Sequence, residues 1–375
     1  MHQRSFVVRL ALSGLVLVAS IASGGSLSSW TAAETRAASD DNRMAGDSAR
    51  LRADAIARAE VWMPTHVATM DIRTGPARPD AFPFLATVTC DYLPKRWPGA
   101  SPKFACRVGD EDEIKVKYGR ANAEVYAEVA ATRLLWALGF GADHMYPVRV
   151  ICRRCPATPE RMTVDYDDRV FDPAAIERKL PGREFPGEEG WKWNELDAVV
   201  PELGGALQAH RDALKLLAVF LQHTDSKREQ QRLLCRDETE RPKNSRSCGR
   251  PLMMINDLGL TFGRADKFNS NEKAMHLADW SSTPVWKRET GCVGNLPKSL
   301  TGTLDDPVIS EAGRQFLAGL LGQLSDTQIQ DLFETARVTL RPRDPQQSRS
   351  GAATVDEWVS AFKEKRRQIA ERTCP

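Results

Sequence analysis

Two acidic residues of this sequence lie just beyond strongly apolar segments. Asp225 follows a long apolar segment and precedes Lys227 and the amide Gln230, while Asp257 follows the apolar run 252–255. Loops that follow a buried helix or strand run over the protein surface and often carry binding and catalytic groups. We therefore take these four residues as candidate site residues.

Their side chains are the types that phosphoryl transfer requires. A carboxylate can orient or deprotonate the hydroxyl of an acceptor, and a second carboxylate with an amide oxygen can hold a divalent metal. Asp225 is predicted to orient the acceptor, and Lys227 to steady the transferred phosphate. Asp257 and Gln230 are predicted to bind Mg²⁺ or Mn²⁺.

Lysines and glutamates upstream could complete such a site. Lys115 and Lys117 alternate in a predicted strand, so both side chains point to one face. The next predicted helix carries Glu124 and Glu128 one turn apart. Lys117 is predicted to contact nucleotide phosphates, and Glu128 to hold Lys117. Each of these residues taken alone is more typical of a solvated face, so their order along the chain carries the prediction.

That order resembles an atypical protein kinase, with a strand lysine, a helix glutamate, a long helix, a catalytic loop, a strand and Asp-x-Gly. Over about residues 87–263 the chain is similar to HipA-like kinases and to secretory-pathway kinases. Gly99 to Lys103 looks like the Gly-x-x-Pro-Lys phosphate loop of the HipA-like group, and Thr224-Asp225 resembles their catalytic loop. Glu128 to Ala131 is similar to the glutamate helix of the secretory-pathway kinases.

The resemblance implies an α+β fold with two lobes, a small antiparallel-sheet N-lobe and a mainly helical C-lobe. It also implies ATP as a substrate, a divalent metal, and Gly99 and Lys103 as nucleotide-binding residues. Residues 46–155 are assigned to the N-lobe, 156–204 to a connector or insertion, and 205–375 to the C-lobe.

Three features depart from the kinase pattern. Gln230 stands where kinases have asparagine, and its extra methylene moves the amide oxygen by about one bond length against a demanding metal geometry. No tandem-glycine loop is present, and the 32 residues from Asp225 to Asp257 exceed the usual gap. The alternative function is a catalytically inactive, pseudokinase-like binding module stabilised by disulfides. A purely structural exported domain is the third hypothesis.

Hydrophobic periodicity and turn residues predict the elements that must position these groups. The predicted helices are 50–62, 122–138, 205–222, 310–324, 325–337 and 355–372, and the predicted strands are 84–92, 104–108, 114–118, 146–151 and 252–255. His223 is predicted to be a structural hydrogen-bonding residue, while Trp191 and Trp193 are predicted to cap the core.

The first 25 residues are predicted to be a secretory signal peptide, because Arg4 and Arg9 precede an apolar run that ends in small residues. An uncleaved membrane anchor is the alternative, since the apolar stretch approaches the roughly 20 residues that span a bilayer. Residues 26–45 are predicted to be a flexible spacer. The protein is therefore expected to be periplasmic or secreted, and to contact the membrane only if the leader is not cleaved.

Composition limits the class of partner. The chain has 375 residues, of which 42% are hydrophobic and 27% charged, which is typical of a globular protein. Lys and Arg total 52 against 50 Asp and Glu, and removal of a leader with two Arg leaves 50 against 50. Such a balance argues against a nucleic-acid binder. The expected partners are a nucleotide and a hydroxyl-bearing acceptor, which could be a protein, a sugar or a lipid.

Eight cysteines form an even set, which in an exported protein favours disulfides. Cys152 and Cys155 have the spacing of half a zinc knuckle, but no second such pair is present. Cys235 and Cys248 could close a long hairpin between Asp225 and Asp257. Eight cysteines allow 105 pairings, so the connectivity stays open.

Overall fold

The computed structural model describes residues 46–185, 190–236, 248–343 and 351–375. Helices and sheets together make the fold mixed α/β, and Ser48–Pro375 forms one compact unit. The strands are β1 (Thr87–Leu93), β2 (Lys103–Val108), β3 (Asp112–Tyr118), β4 (His144–Cys155), β5 (Asp167–Arg178), β6 (Arg183–Glu184), β7 (Gln231–Cys235) and β8 (Pro251–Ile255). The helices are α1 (46–57), α2 (Glu124–Leu138), α3 (Gln208–Leu221), α4 (Leu277–Ser282), α5 (Glu311–Gly322), α6 (Asp326–Thr335) and α7 (Val355–Glu371).

The predicted leader and spacer lie outside the described residues. Within the ranges that are described, none of the helices has the length and apolar character needed to cross a membrane.

The first five strands form a closed barrel in the order β1-β2-β3-β5-β4. β1 pairs with β4 in parallel, and the other neighbouring strands are antiparallel. Alternate side chains, such as Val88, Phe104 and Val116, point inward and fill the barrel. The predicted small antiparallel sheet is therefore a closed mixed barrel, because β5 pairs with both β3 and β4 and completes the ring.

β5 lies inside the segment 156–204 that the sequence assigned to a connector. The sequence prediction missed this strand because it begins with three charged residues and contains Pro173, features that favour a loop. The barrel therefore draws its last strand from beyond the predicted N-lobe.

α2 packs against the barrel on one side and against α6 on the other. Nearly all of its residues are buried, including Glu128, which is 2% exposed. The helix ends where the sequence predicts, at Gly139, whose φ is +85°. A Cβ atom at Gly139 would lie 2.0 Å from the carbonyl oxygen of Met63, so both the dihedral and the close approach require glycine.

The second sheet, β6-β7-β8, brings the two acidic segments together. Its register pairs Gln231 at the start of β7 with Ile255 at the end of β8. Residues 225–230 immediately precede β7, and Asp257 lies two residues after the end of β8. Both acidic segments therefore lie at the same end of this hairpin. The backbone N–H groups of Asn256 and Asp257 donate to the carbonyl oxygen of Gln230 at 2.9 and 3.4 Å.

The remaining helices pack on this sheet around an aromatic core. α3 packs against α5, and α7 contacts α4, α5 and α6. Phe262, which follows the Asp-x-Gly segment, lies in the core with Trp280, Phe333 and Trp358. Trp191 and Trp193 are 0% and 1% exposed, so their predicted place in the core is confirmed.

All eight cysteines form disulfides, which confirms the interpretation of the even set. The pairs are Cys90–Cys106, Cys152–Cys155, Cys235–Cys248 and Cys292–Cys374. Two bridges belong to barrel strands, the third joins the end of β7 to Cys248, three residues before β8, and the fourth ties the C-terminal segment to the core. Four disulfides indicate that the protein folds in an oxidising compartment.

The bridge between Cys292 and Cys374 spans 82 residues, and we expect its loss to destabilise the protein most. In the chain-entropy model, removing a bridge over such a separation costs about 4.5 kcal/mol, against about 2 kcal/mol for the three-residue separation of Cys152 and Cys155. Denaturant unfolding of the paired serine variants, C292S/C374S and C152S/C155S, measures the difference. Equal losses of unfolding free energy would contradict this ranking.

Candidate phosphate and metal site

Lys117 is the centre of a buried ionic cluster between the barrel and the second sheet. Its side chain is 1% exposed, and Nζ lies 2.5 Å from Glu128 Oε1 and 2.6 Å from Glu124 Oε2. Asp257 Oδ2 lies 3.8 Å from the same nitrogen. The structure therefore gathers residues from β3, α2 and the segment after β8 around one ammonium group. Lys115, two residues earlier on the strand, pairs instead with Glu177 of β5.

The ionisation of the cluster is set by burial and by its own charges. Burial opposes charge on Lys117, but Asp257, Glu128 and then Glu124 raise its pKa well above the ordinary value. Burial raises the pKa of Glu128 well above that of an exposed glutamate, and Lys117 offsets only part of this effect.

The pKa of Asp257 is shifted in the opposite direction to that of Glu128. Burial disfavours its charge, yet Lys117 and the N–H of Gly259 hold the pKa of Asp257 well below its usual range. The Gly259 N–H donates to Asp257 Oδ1 at 3.0 Å. Asp257 is also more accessible, with 28% of its side chain exposed. It is therefore a charged carboxylate at the open side of the cluster.

Gly259 of the Asp-x-Gly segment lies against the side chain of Glu124. A Cβ atom at position 259 would lie 2.5 Å from Glu124 Cγ, so a larger residue there would displace Glu124. The close approach places Asp257 beside Lys117. This contact joins the barrel strand β3 to the segment after β8.

The loop between β1 and β2 adds a second cation. The register of β2 and β3 places Lys103 directly opposite Lys117, and like charges in such a pair repel. Burial and the proximity of Lys117 lower the pKa of Lys103. Gly99, whose φ is +92°, leaves room for this side chain, because a Cβ atom at Gly99 would lie 2.8 Å from Lys103 Nζ. Two adjacent lysines favour an anionic ligand.

Ser101 connects this loop to the ionic cluster, and sequence reasoning did not single it out. Its hydroxyl donates to Glu124 Oε2 at 2.8 Å and accepts from Lys103 Nζ at 3.3 Å. Glu124 thus contacts both Lys117 and the loop, whereas the sequence-based prediction gave the leading role to Glu128. The proximity of Ser101 to Gly99 and Lys103 in the sequence was the available signal.

The segment before β7 holds Asp225 between two donors. Lys227 Nζ lies 3.1 Å from Asp225 Oδ2, and Gln230 Nε2 donates to the same oxygen at 2.7 Å. The hydroxyl of Ser226 accepts from the backbone N–H groups of Thr303 and Leu304, each at 3.2 Å, which fixes the backbone beside Asp225. The structure thus brings Asp225, Lys227 and Gln230 together.

His223 is not the structural hydrogen-bonding residue that the sequence predicts. Neither ring nitrogen has a partner among the described residues, and the side chain is 1% exposed. Burial lowers the pKa of His223 to about 4, although the nearby charges of Asp225 and Asp257 act in the opposite direction. Its ring packs near Trp193 instead, with the ring centroids 6.2 Å apart.

Comparison with known proteins finds similarity of structure but no match of sequence. No protein-family model matches the chain, and no curated protein matches it. A solved structure that matches is a Helicobacter pylori proinflammatory kinase, CtkA. The match covers 77% of this chain and 96% of that chain, with 12% sequence identity and a TM-score of 0.42.

Proposed function

We propose that this protein is an exported kinase-like phosphotransferase that moves a phosphoryl group from a nucleotide, ATP in the first instance, to a hydroxyl acceptor. The observation that carries the proposal is the buried Lys117 cluster, in which a strand lysine contacts a helix glutamate and the aspartate of Asp-x-Gly. A site for nucleotide phosphates needs a positioned cation and carboxylates that can hold a divalent metal. The acceptor could be a protein, a sugar or a lipid.

The donor groups of the cluster fit a metal ion. Three carboxylates surround one ammonium group, and Glu128 Oε2 has no hydrogen-bond partner among the described residues. An oxygen-rich set with excess negative charge is what Mg²⁺ and Mn²⁺ prefer. In the proposal Asp257 and Gln230 hold the metal, which when bound offsets the charge of the nucleotide phosphates.

The roles of the other residues follow from where they lie. Lys117 and Lys103 bind phosphate oxygens, Gly99 lets the loop approach them, and Glu128 holds Lys117. Asp225 orients the acceptor hydroxyl and Lys227, whose Nζ lies 3.1 Å from Asp225 Oδ2, steadies the transferred phosphate. In this proposal the barrel with α2 serves as the small lobe, and α3 to α7 with the second sheet serve as the large lobe.

Export is part of the proposal. The disulfides favour a periplasmic or secreted protein, delivered by the predicted signal peptide or held by it as an anchor. Because ATP is scarce outside the cytoplasm, another phosphate donor is an alternative to test beside ATP.

Replacement of Asp225 by asparagine tests the proposed chemistry. We expect Asp225→Asn to bind ATP with Mg²⁺ or Mn²⁺ as the wild type does but to lose at least 100-fold in phosphoryl transfer, the order expected when a positioned acid–base group is removed. Binding is followed by the rise in Tm with ligand, and transfer by release of labelled ADP. Unchanged turnover in the variant would overturn the role of Asp225.

The binding module remains the second candidate because of Gln230, whose amide nitrogen donates to Asp225. The variant Gln230→Asn restores the amide that kinases have at this position. Higher turnover in Gln230→Asn marks the site as catalytic but detuned. No turnover in either form, together with a ligand-dependent rise in Tm, favours the binding module.

A further inference from the structure

Asn122 lies at the point where four segments of the proposed site meet. It follows β3 by four residues and precedes the first residue of α2 by two. Its side chain is 3% exposed. The amide nitrogen donates to the backbone oxygens of Pro102 and Tyr118, both at 3.1 Å. The amide oxygen accepts from the N–H of Glu124 at 3.2 Å and from Asn271 Nδ2 at 2.8 Å.

Three of these four partners are site residues or lie beside one. Pro102 precedes Lys103 in the loop before β2, and Tyr118 follows Lys117 on β3. Glu124 itself contacts Lys117. One side chain is thus hydrogen-bonded to the phosphate-binding loop, the lysine strand and the glutamate helix.

Asn271 extends the network to the segment 264–276, which follows Asp257 and Gly259. Its side-chain oxygen accepts from the N–H of Ala123 at 2.8 Å, so the two asparagines hold the start of α2 together. Arg341, which is 3% exposed, also links these two segments. Its Nη1 donates to the backbone oxygen of Ala121, and its Nη2 lies 3.4 Å from the backbone oxygen of Asn271. The position of α2 is therefore tied to the segment after Asp257.

An amide is the side chain that this position requires. It offers two N–H donors on one atom and an acceptor on the other. Aspartate would place a carboxylate oxygen against two carbonyl oxygens, and alanine would leave four partly buried partners without their bonds. A buried polar group without a partner is costly, so the neighbouring segments would have to move.

We propose that Asn122 is a positioning residue that holds the loop before β2, Lys117, α2 and the segment 264–276 in the arrangement that binds a metal–nucleotide complex. This inference rests on the proposed function for its ligand. The hydrogen-bonded network around Asn122, here called the clamp, can be measured without nucleotide.

The experiment compares Asn122→Ala and Asn271→Ala with the control Thr132→Val. Thr132 lies on α2, is 4% exposed and accepts one hydrogen bond, from the N–H of Met145 at 3.3 Å, away from the site. Amide hydrogen exchange is measured on each full-length protein without ligand. The dissociation constant for ATP is then measured with Mg²⁺.

For Asn122→Ala we expect exchange to rise at least tenfold in residues 99–103, 117–128 and 264–276, and the dissociation constant to rise at least tenfold. For Asn271→Ala we expect faster exchange only at the start of α2 and in 264–276. Thr132→Val should leave exchange in 99–103 and 264–276 unchanged, and alter the dissociation constant less than twofold.

Unchanged exchange in 99–103 of Asn122→Ala, or the same changes in Thr132→Val, overturns the proposal. If Asn122→Ala does not fold, the pattern expected for Asn271→Ala decides, and unchanged exchange there overturns the clamp. If Asn122→Ala shows this exchange pattern but the wild type does not bind ATP, the proposed function is refuted and the clamp is still supported.

Discussion

Asp257→Ala is expected to abolish the metal-dependent rise in Tm that ATP produces in the wild-type protein. Asp257 is the most exposed of the three carboxylates around Lys117, and its pKa lies well below the usual range, so it is the charged ligand that a metal would meet first. A ligand that binds only the folded state at 100 times its dissociation constant stabilises it by about 2.7 kcal/mol. Loss of the metal ligand removes that stabilisation.

The ligand-free variant should remain folded. Lys117 keeps Glu128 and Glu124 at 2.5 and 2.6 Å, whereas Asp257 is 3.8 Å away, so the buried ammonium group stays neutralised. The variant loses the hydrogen bond from the Gly259 N–H, worth about 1 kcal/mol, and the attraction between Asp257 and Lys117, while Glu128 is relieved of a neighbouring negative charge. We therefore expect the ligand-free Tm to fall by no more than about 4 °C.

Thermal unfolding with and without ATP, in Mg²⁺, Mn²⁺ or chelator, measures both effects. The matched control is Asp266→Ala, which removes a carboxylate that pairs with Lys273 in the segment beyond Asp257. This control should keep the full ligand-dependent rise. An unchanged affinity for the metal–nucleotide complex in Asp257→Ala would refute the assignment of Asp257 to the metal.

The sequence was sufficient to predict the elements that carry the site. The strand with Lys117 and the helix with Glu128 have periodic apolar patterns, which report the buried face of an element. The strand before Asp257 is a short continuous apolar run, which is typical of a fully buried strand. The predicted helix 122–138 and the observed α2 both end at Leu138, because the Gly139 that follows terminates a helix through its backbone freedom.

The sequence could not predict how the strands pair to close the barrel and to form the second sheet. β5 is charged and interrupted by proline, and β7 reads Gln-Arg-Leu-Leu-Cys, so neither alternates in the way that identifies a strand. β5 pairs with β3 and β4, and β7 pairs with β6 and β8; such tertiary pairing leaves no local pattern in the sequence. The barrel and the hairpin that joins Asp225 to Asp257 therefore needed the structure.

The hydrogen-bonded residues of the site were also hard to predict. Asn122 stands just ahead of a helix, where asparagine is a common capping residue, and this explanation hides its bonds to Pro102 and Tyr118. Glu124 and Glu128 occupy the same helix face, and only the packing shows that Lys117 contacts both. Patterns in sequence report burial and propensity, whereas these contacts depend on three-dimensional register.

Lys117→Met is expected to cost more stability than any other single substitution in the cluster. The change leaves Glu128, which is 2% exposed, without its cation, and breaking a buried ion pair typically costs about 3–5 kcal/mol. Burial already raises the pKa of Glu128, and loss of Lys117 raises that pKa further. The folded state then binds a proton more tightly than the unfolded state, so the cost should shrink as pH falls from 7 towards 5.

The double variant Lys117→Met/Glu128→Gln separates lost charge pairing from lost packing. Removing the stranded carboxylate should recover most of the unfolding free energy that Lys117→Met loses, because a neutral pair no longer has a buried charge to stabilise. Lys115→Met is the control: the side chain of Lys115 is 20% exposed against 1% for Lys117, so the loss of its pair with Glu177 should cost less than the loss of Lys117. Urea unfolding at pH 7 and pH 5 measures all three variants. A double variant no more stable than Lys117→Met would show that Glu128 is not the residue that Lys117 neutralises, and Glu124 would then become its principal partner.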